Sequence, residues 1–532
     1  MTVDRVRERA LRRRWWMLAV LSVSLVIIGL DNTILNVALP TIQRELGSSA
    51  SELQWIVDAY VLVFAGLLLS MGALGDRYGR KRALQAGLVI FGLSSVVAAF
   101  AETNAQLIAA RAVMGVGGAL IMPSTLSIIV DVFPREEQGK AIGVWTGMAA
   151  LGIAIGPALG GWLLEHFWWG SVFMINVPVV LVALAGGLLL VPESRDPAGT
   201  AVDVTGAALS MVTLFLLVYA IIEAPARGWL DPFVVGAFGG SAAAGAAFVL
   251  WERRQRHPML DLVLFRNPRF SVGVISITLA FFALFGTIFV NTQYLQFVHG
   301  YSALEAGLAI TPVAGGMLIG AANSHRLVAR FGTGKVVGFG MAVLAAAMAS
   351  YVFWTATTPY AIIGVTFVVM AFGIANAMAP ATEAVMGAVP VAKAGVGSAM
   401  NDTTRQVGGA FGVAILGSVV NAVYGARMTA PPGAPREVAD LVTDSIGGAI
   451  AVAAQLGGPE GAALAAMARD AFLDAMDAAM VVAAAVGLVG AIVAWRFMPA
   501  RAVAESRAVF AGAAIPRAVQ GVAADPDGSQ EA

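Results

Sequence analysis

The 532-residue sequence predicts an all-α integral membrane protein with fourteen spans. Three observations predict it. The chain is 58% hydrophobic and only 12% charged, with a mean hydropathy of +0.80. Soluble domains are roughly 25% charged and roughly 45–50% apolar. Apolar runs of bilayer-crossing length, about 20 residues, recur between short polar breaks. They read as 15–39, 54–73, 83–101, 105–130, 139–163, 171–192, 203–222, 232–250, 270–298, 303–324, 334–355, 360–387, 398–425 and 474–497. Third, the cationic residues alternate from side to side. One side carries Arg5–Arg14, Arg77–Arg82, Arg135–Lys140, Arg253–Arg269, Arg326–Lys335 and Arg496–Arg517. The other side carries Arg44, Arg227, Arg427, Arg436 and Arg469. By the positive-inside rule both termini are cytoplasmic in a multi-pass inner (plasma) membrane protein.

Composition also excludes classes. With no cysteine, thiol catalysis and thiolate metal sites are absent, and a net charge of zero offers no bulk basic surface for nucleic acid. His166, His257, His299 and His325 fall at span ends or in loops without ligand spacing. No nucleophile–base cluster is visible, so neither an enzyme nor a metal site is predicted. Residues 1–14 form a cytoplasmic N-terminus. The apolar run that follows is longer than a signal-peptide core and reads as a retained first helix.

Span 1 closes on Leu30-Asp31-Asn32-Thr33-Ile34-Leu35-Asn36-Val37-Ala38-Leu39-Pro40. A carboxylate at mid-membrane costs about 2.5–3.5 kcal/mol on insertion scales and is kept where it faces a protein interior or a watery cavity. Asp31 is therefore read as functional, with Asn32 and Asn36 beside it. In span 2, Asp58 lies one turn from Trp55 and beside Tyr60. It either widens cation preference or sits at the outer mouth. The next loop, Gly72-Ala73-Leu74-Gly75-Asp76-Arg77-Tyr78-Gly79-Arg80-Lys81-Arg82, has glycines for a tight turn and an arginine cluster for the anionic leaflet.

Arg111 in span 4 is a permanent cation that either finds an anionic or carbonyl partner or reaches the interface. Gly152, Gly156 and Gly160 in span 5 share one helix face, where a partner helix can press close; Pro157 adds a kink and Gly161 follows. In span 13, Asn401 precedes Asp402 and Arg405, which sit three apart on one face. They either neutralise each other or leave Asp402 lining a cavity. Residues 426–473 form a long outer loop in which Arg436–Gln455 reads as one amphipathic helix. Residues 501–532 lose their apolar runs and read as a disordered cytoplasmic tail.

These stretches resemble the major facilitator superfamily. The loop after span 2 is similar to its G-x-L-x-D-R-x-G-R-[KR] motif. Arg111, Gly115, Gly117 and Gly118 are similar to R-x-x-x-G-x-G-[GA]. Gly152–Gly161 is similar to the G-x-x-x-G-P-x-x-G-G pattern that marks antiporters, meaning exporters. The Asp31 stretch, Phe173-Met174-Ile175-Asn176-Val177-Pro178 and Gly397–Gly409 resemble the drug:proton antiporters with fourteen helices.

The resemblance covers about residues 15–500. It implies two six-helix bundles, 15–192 and 268–500, with an inserted pair at 203–250. It also implies alternating access to a midplane site. The activity implied is proton-coupled efflux of lipophilic, often cationic, compounds by a monomer, driven by the proton gradient without a cofactor. A dedicated exporter of one antibiotic or metabolite would share fold and coupling; an uptake symporter or a sensor fits the motifs less well. The resemblance implies proton coupling for Asp31, Asp402 and Arg111. Substrate contact is expected for Asp31, Asn32, Asn36, Trp55, Tyr60, Asn401, Asp402 and Arg405, and for Asp58 on its own chemistry, since many members of this branch carry an uncharged residue there. Gating is implied for Gly72, Asp76, Arg77, Gly79 and Arg80, and for Gly152, Gly156, Pro157, Gly160 and Gly161. Span 10 lacks the mid-helix acid that quaternary-ammonium pumps of this branch use for divalent cations, which argues against broad dication export.

Overall fold

Apolar helices with internal glycine pack into two bundles in this protein. The computed structural model describes residues 3–195, 203–255, 258, 260, 262–389, 394–431 and 433–499. The predicted tail at 501–532 lies outside the described residues. The first bundle comprises α1 (Val3–Leu46), α2 (Ala50–Tyr78), α3 (Arg80–Ala99), α4 (Asn104–Val132), α5 (Arg135–His166), α6 (Ser171–Met174) and α7 (Asn176–Leu190). The inserted pair is α8 (Val204–Arg227) and α9 (Pro232–Glu252). The second bundle comprises α10 (Pro268–Gln293), α11 (Ala303–Ala309), α12 (Pro312–Phe331), α13 (Thr333–Ala349), α14 (Tyr360–Ala388), α15 (Ala394–Arg427) and α18 (Gly458–Phe497). Between the last two lie α16 (Arg436–Asp444) and α17 (Ile446–Leu456).

Among the described residues there are 13 segments long and apolar enough to cross a membrane. The predicted span outside that set, the fifth at 139–163, corresponds to α5, a helix of 32 residues. Several spans are interrupted for identifiable reasons. Pro178 has no N–H for the carbonyl of Met174, and the sixth span breaks at Ile175 into α6 and α7. Pro312 likewise opens α12 after the short α11. The two bundles repeat one turn: Gly79, between α2 and α3, has φ of 124°, and Gly332, between α12 and α13, has φ of 86°. Both are backbone conformations that glycine adopts without steric cost.

Two boundaries differ from the sequence reading. The segment read as one amphipathic helix over Arg436–Gln455 is two helices. Ser445 between them is extended, and its hydroxyl accepts the Gly448 N–H to cap α17. The last span, read as 474–497, begins at Gly458, so α18 runs for 40 residues and projects well beyond the apolar run.

The bundles meet mainly toward the end that carries α16 and α17. There Gln43 Nε2 donates to Ser445 Oγ at 2.8 Å. The Ala50 N–H donates to Asp444 Oδ2 at 2.8 Å. Gln296 Nε2 donates to the Val37 carbonyl at 2.9 Å. Gly161 of α5 lies against Ala303 and Leu304, and Gly307 of α11 against the Pro157 carbonyl. Gly417 of α15 abuts Gln54 of α2. The seam retains a cavity of about 20 Å³, lined by Gln54, Gln293, Gly417, Asn421 and Asp444 among others, and a wider one of about 370 Å³ beside Arg44, Gln296, Tyr301 and Glu305. Burial pushes the Asp444 carboxyl above its ordinary value, although the Ala50 N–H favours the ionised form.

Candidate functional site

The site is built on α1, which α5 holds from behind. A Cβ at Gly152 would meet the Val26 carbonyl, one at Gly156 the Thr33 hydroxyl, and one at Gly160 the Ile34 side chain. The glycine face thus seats α1 at backbone distance around Asp31. The next residue on α5, Gly161, points elsewhere and meets α11 of the other bundle. One short motif therefore contacts both the helix that carries Asp31 and the opposite half.

Asp31 is 0% exposed and Arg111 of α4 is 1% exposed. Arg111 Nη1 donates to Asp31 Oδ2 at 2.5 Å. Its Nε donates to the Ile56 carbonyl at 3.1 Å, and its guanidinium lies 4.4 Å from the centre of the Tyr60 ring. Of the two readings open for Arg111, partner or interface, the structure takes the first. Asp31 Oδ1 accepts from Asn176 Nδ2 at 3.4 Å, and the same amide reaches Ser95 Oγ at 3.3 Å. The sequence analysis assigned no role to Asn176 or Ser95. The signal for Asn176 was its place two residues before Pro178, inside a membrane span.

The other candidates distribute around this pair. Tyr60 belongs to it, buried under the Arg111 guanidinium. Asn36 is buried and donates to the Asn32 carbonyl on its own helix at 3.0 Å; Asn32 is half-buried next to Asp31. Trp55, expected to line the cavity, turns instead toward the inserted pair. Its Nε1 donates to Glu223 Oε1 at 3.3 Å, and its ring lies 5.4 Å from that of Phe215. Trp55 faces α8 because the arc of α2 bearing Ile56 and Tyr60 is taken by α4, and Gln54 meets α15.

Asp58 falls between those last two directions, on the arc flanked by Gln54 and Trp55. It is 0% exposed, and neither carboxyl oxygen has a hydrogen-bond partner among the described residues. Both open readings placed it near water, at a cavity or at the mouth; the structure encloses it in the α2–α8–α15 seam.

In the second bundle Asp402 and Arg405 pair at 3.8 Å, with side chains 12% and 29% exposed. Helical period sets Asp402 on the arc between the face of α15 that meets α2, at Gly417, and the face that meets α10, at Gly408 and Gly412. Arg405 lies 5.6 Å from the Phe281 ring centre. Asn401 is buried and accepts from the Thr382 hydroxyl at 3.3 Å.

The Arg-rich turn forms a third cluster at the opposite end from α16. Asp76 pairs with Arg80 at 2.7 Å, and Arg80 extends to Asp131 at 3.9 Å. Gly72 faces Pro123 of α4, while Arg77 lies near the Tyr78 ring. Glu193, after α7, accepts from the Lys81 N–H at 3.2 Å and lies 3.5 Å from Arg82. Its carboxylate sits where a Cβ on Gly79 would point. Among the described residues no group of three or more His, Cys, Asp or Glu could hold a metal ion.

Comparison with known proteins places this geometry. The sequence profile of the Major Facilitator Superfamily matches residues 21–413. The chain is 38% identical over 484 residues to the multidrug efflux pump LfrA of Mycolicibacterium smegmatis, covering 90% of this chain and 96% of that one. It is 34% identical to the tetracenomycin C resistance and export protein of Streptomyces glaucescens, covering 91% of each. It is also 34% identical to the methyl viologen resistance protein SmvA of Salmonella typhimurium, covering 91% of this chain and 98% of the relative. Among solved structures it resembles a bacterial homologue of the human lysosomal transporter Spinster. The TM-score there is 0.62 and the identity 18%, over 90% of this chain and 97% of that one.

Proposed function

Because the chain belongs to the Major Facilitator Superfamily, we propose that it is a proton-coupled antiporter that exports lipophilic, often cationic, compounds across the cell membrane by alternating access. The observation that carries this reading is the Asp31–Arg111 pair, enclosed at mid-span on a helix seated by the antiporter-type glycine face. A purely structural role would be an expensive use of two charges in a membrane. A carboxylate that alternates between ionised and protonated gives the pair a working role. When Asp31 takes a proton from the outside, its pairing with Arg111 weakens and the cation affinity of the site falls. When Asp31 loses the proton to the cytoplasm, the pair re-forms and cation affinity returns.

In this reading both termini are cytoplasmic, so the α16–α17 end, where the bundles are hydrogen-bonded to each other, faces out. Asp402, on the second bundle, meets the positive charge of the substrate. The monomer works without a cofactor, on the proton gradient alone. The export protein for tetracenomycin C among the relatives supports a second reading, a dedicated exporter of one antibiotic or metabolite with the same coupling.

The test uses inverted vesicles with a respiration-driven proton gradient and a pH-sensitive dye. Ethidium addition is expected to collapse the gradient in the unsubstituted protein and not in Asp31→Asn. Failure to respond to any member of a cation panel, from protein shown to be folded, would sink the multidrug reading in favour of the dedicated exporter.

A further inference from the structure

The Asp31 carboxylate has two oxygens, and Arg111 occupies one of them. The other is met by Asn176, which is 1% exposed and arrives from α7. An amide nitrogen carries two protons. Asn176 directs one toward Asp31 Oδ1 and the other toward Ser95 Oγ of α3, which is itself buried. The clasp therefore joins α1, α3 and α7.

The orientation of this amide follows from chemistry. Reversed, it would point its oxygen at a carboxylate that, when ionised, can only accept. Its own oxygen is instead left without a partner among the described residues.

Two other buried asparagines bond back along their own helix instead. Asn36 and Asn376 each donate to the carbonyl four residues back on the same helix, at 3.0 and 2.9 Å. Asn176 is exempt from that arrangement because it opens α7, just past the break that Pro178 imposes. The break releases the amide to reach across the bundle.

We propose that Asn176 is a positioning residue for proton exchange: by donating to the ionised form of Asp31 it sets the pH at which that carboxylate releases its proton during transport. The inference rests on the antiport reading above. The charged or titratable groups that face Asp31 are Arg111 from α4 and Tyr60 from α2. α3 and α7 contribute the neutral Ser95 and Asn176, and α5 its glycine face. Asn176 is thus, among these, the neutral donor on the charge that moves. A hydrogen bond to a charged group stabilises that charged form, and its loss corresponds to about one unit on the pH axis.

The full chain is reconstituted in liposomes, and ethidium–proton exchange is followed across an acid-to-alkaline series. Asn176→Leu keeps the volume and removes the donor. Ser95→Ala removes only the second anchor of the amide, at little cost to packing. The half-maximal pH of exchange is expected to rise by about one unit in Asn176→Leu and to rise by less in Ser95→Ala. An unchanged half-maximal pH in Asn176→Leu overturns the inference. Should that variant not fold, an unchanged value in Ser95→Ala overturns it equally. Exchange absent from the unsubstituted protein overturns the antiport reading and this inference with it, whereas exchange that is present but insensitive to both substitutions overturns the inference alone.

Discussion

Two of the acid–arginine pairs among the described residues, Asp31–Arg111 in the first bundle and Asp402–Arg405 in the second, differ in nearly every physical respect. Asp31 and Arg111 come from different helices, touch at 2.5 Å and are sealed from solvent. Asp402 and Arg405 come from one helix, sit 3.8 Å apart and remain partly exposed. In a medium of low effective dielectric the first interaction is strong, and breaking it by removing one partner strands a charge. The second is longer and only partly desolvated, so it holds its partners more loosely. In the antiport reading proposed above, the difference corresponds to a division of labour. A sealed pair is suited to a small traveller such as a proton. An open pair can meet the charge of a larger, variable molecule.

That comparison can be broken or sharpened by making the same substitution twice. Arg111→Leu leaves Asp31 buried without its cation, at a cost of about 3–5 kcal/mol. A large fall in Tm of the purified protein is expected, with loss of exchange. A smaller effect is expected from Gly156→Leu. Its side chain would enter the space of Thr33, and overpacking of this kind costs about 1–3 kcal/mol. Exchange should fail while ethidium binding to the purified protein persists, because α1 is displaced but the Asp402 face is not. Arg405→Leu should cost less than Arg111→Leu in Tm measurements, because the longer, partly exposed pair gives up less on separation. A fall in Tm for Arg405→Leu as large as that for Arg111→Leu would erase the distinction between the two pairs.

How much of this was visible beforehand depended on how rare each signal is in a membrane. Charged groups inside apolar runs are costly, so Asp31, Arg111 and Asp402 stood out from the sequence. The glycine spacing of the fifth span was equally visible, since small residues at that period announce a close helix contact. Lateral neighbours were not. Trp55 was expected at the cavity and lies against α8 instead, and Asp58 is enclosed in the seam. Helices that are apolar on every side carry little amphipathic pattern to say which face meets which partner. Asn176 was noted only within a family-like stretch and given no role. Its role depends on a backbone break and on two residues far away in the chain. Ser445 split a helix that periodicity alone joined, since an N-cap serine is also common within helical surface segments.

The central claim is that the sealed pair carries the proton and the open pair does not. The direct measurement is proton release from purified protein in weakly buffered detergent solution when ethidium is added, read with a pH-sensitive dye. The account predicts release from the unsubstituted protein and from Asp402→Asn at saturating ethidium, and none from Asp31→Asn. Release that survives in Asp31→Asn and vanishes in Asp402→Asn would contradict it and move the proton to the second bundle.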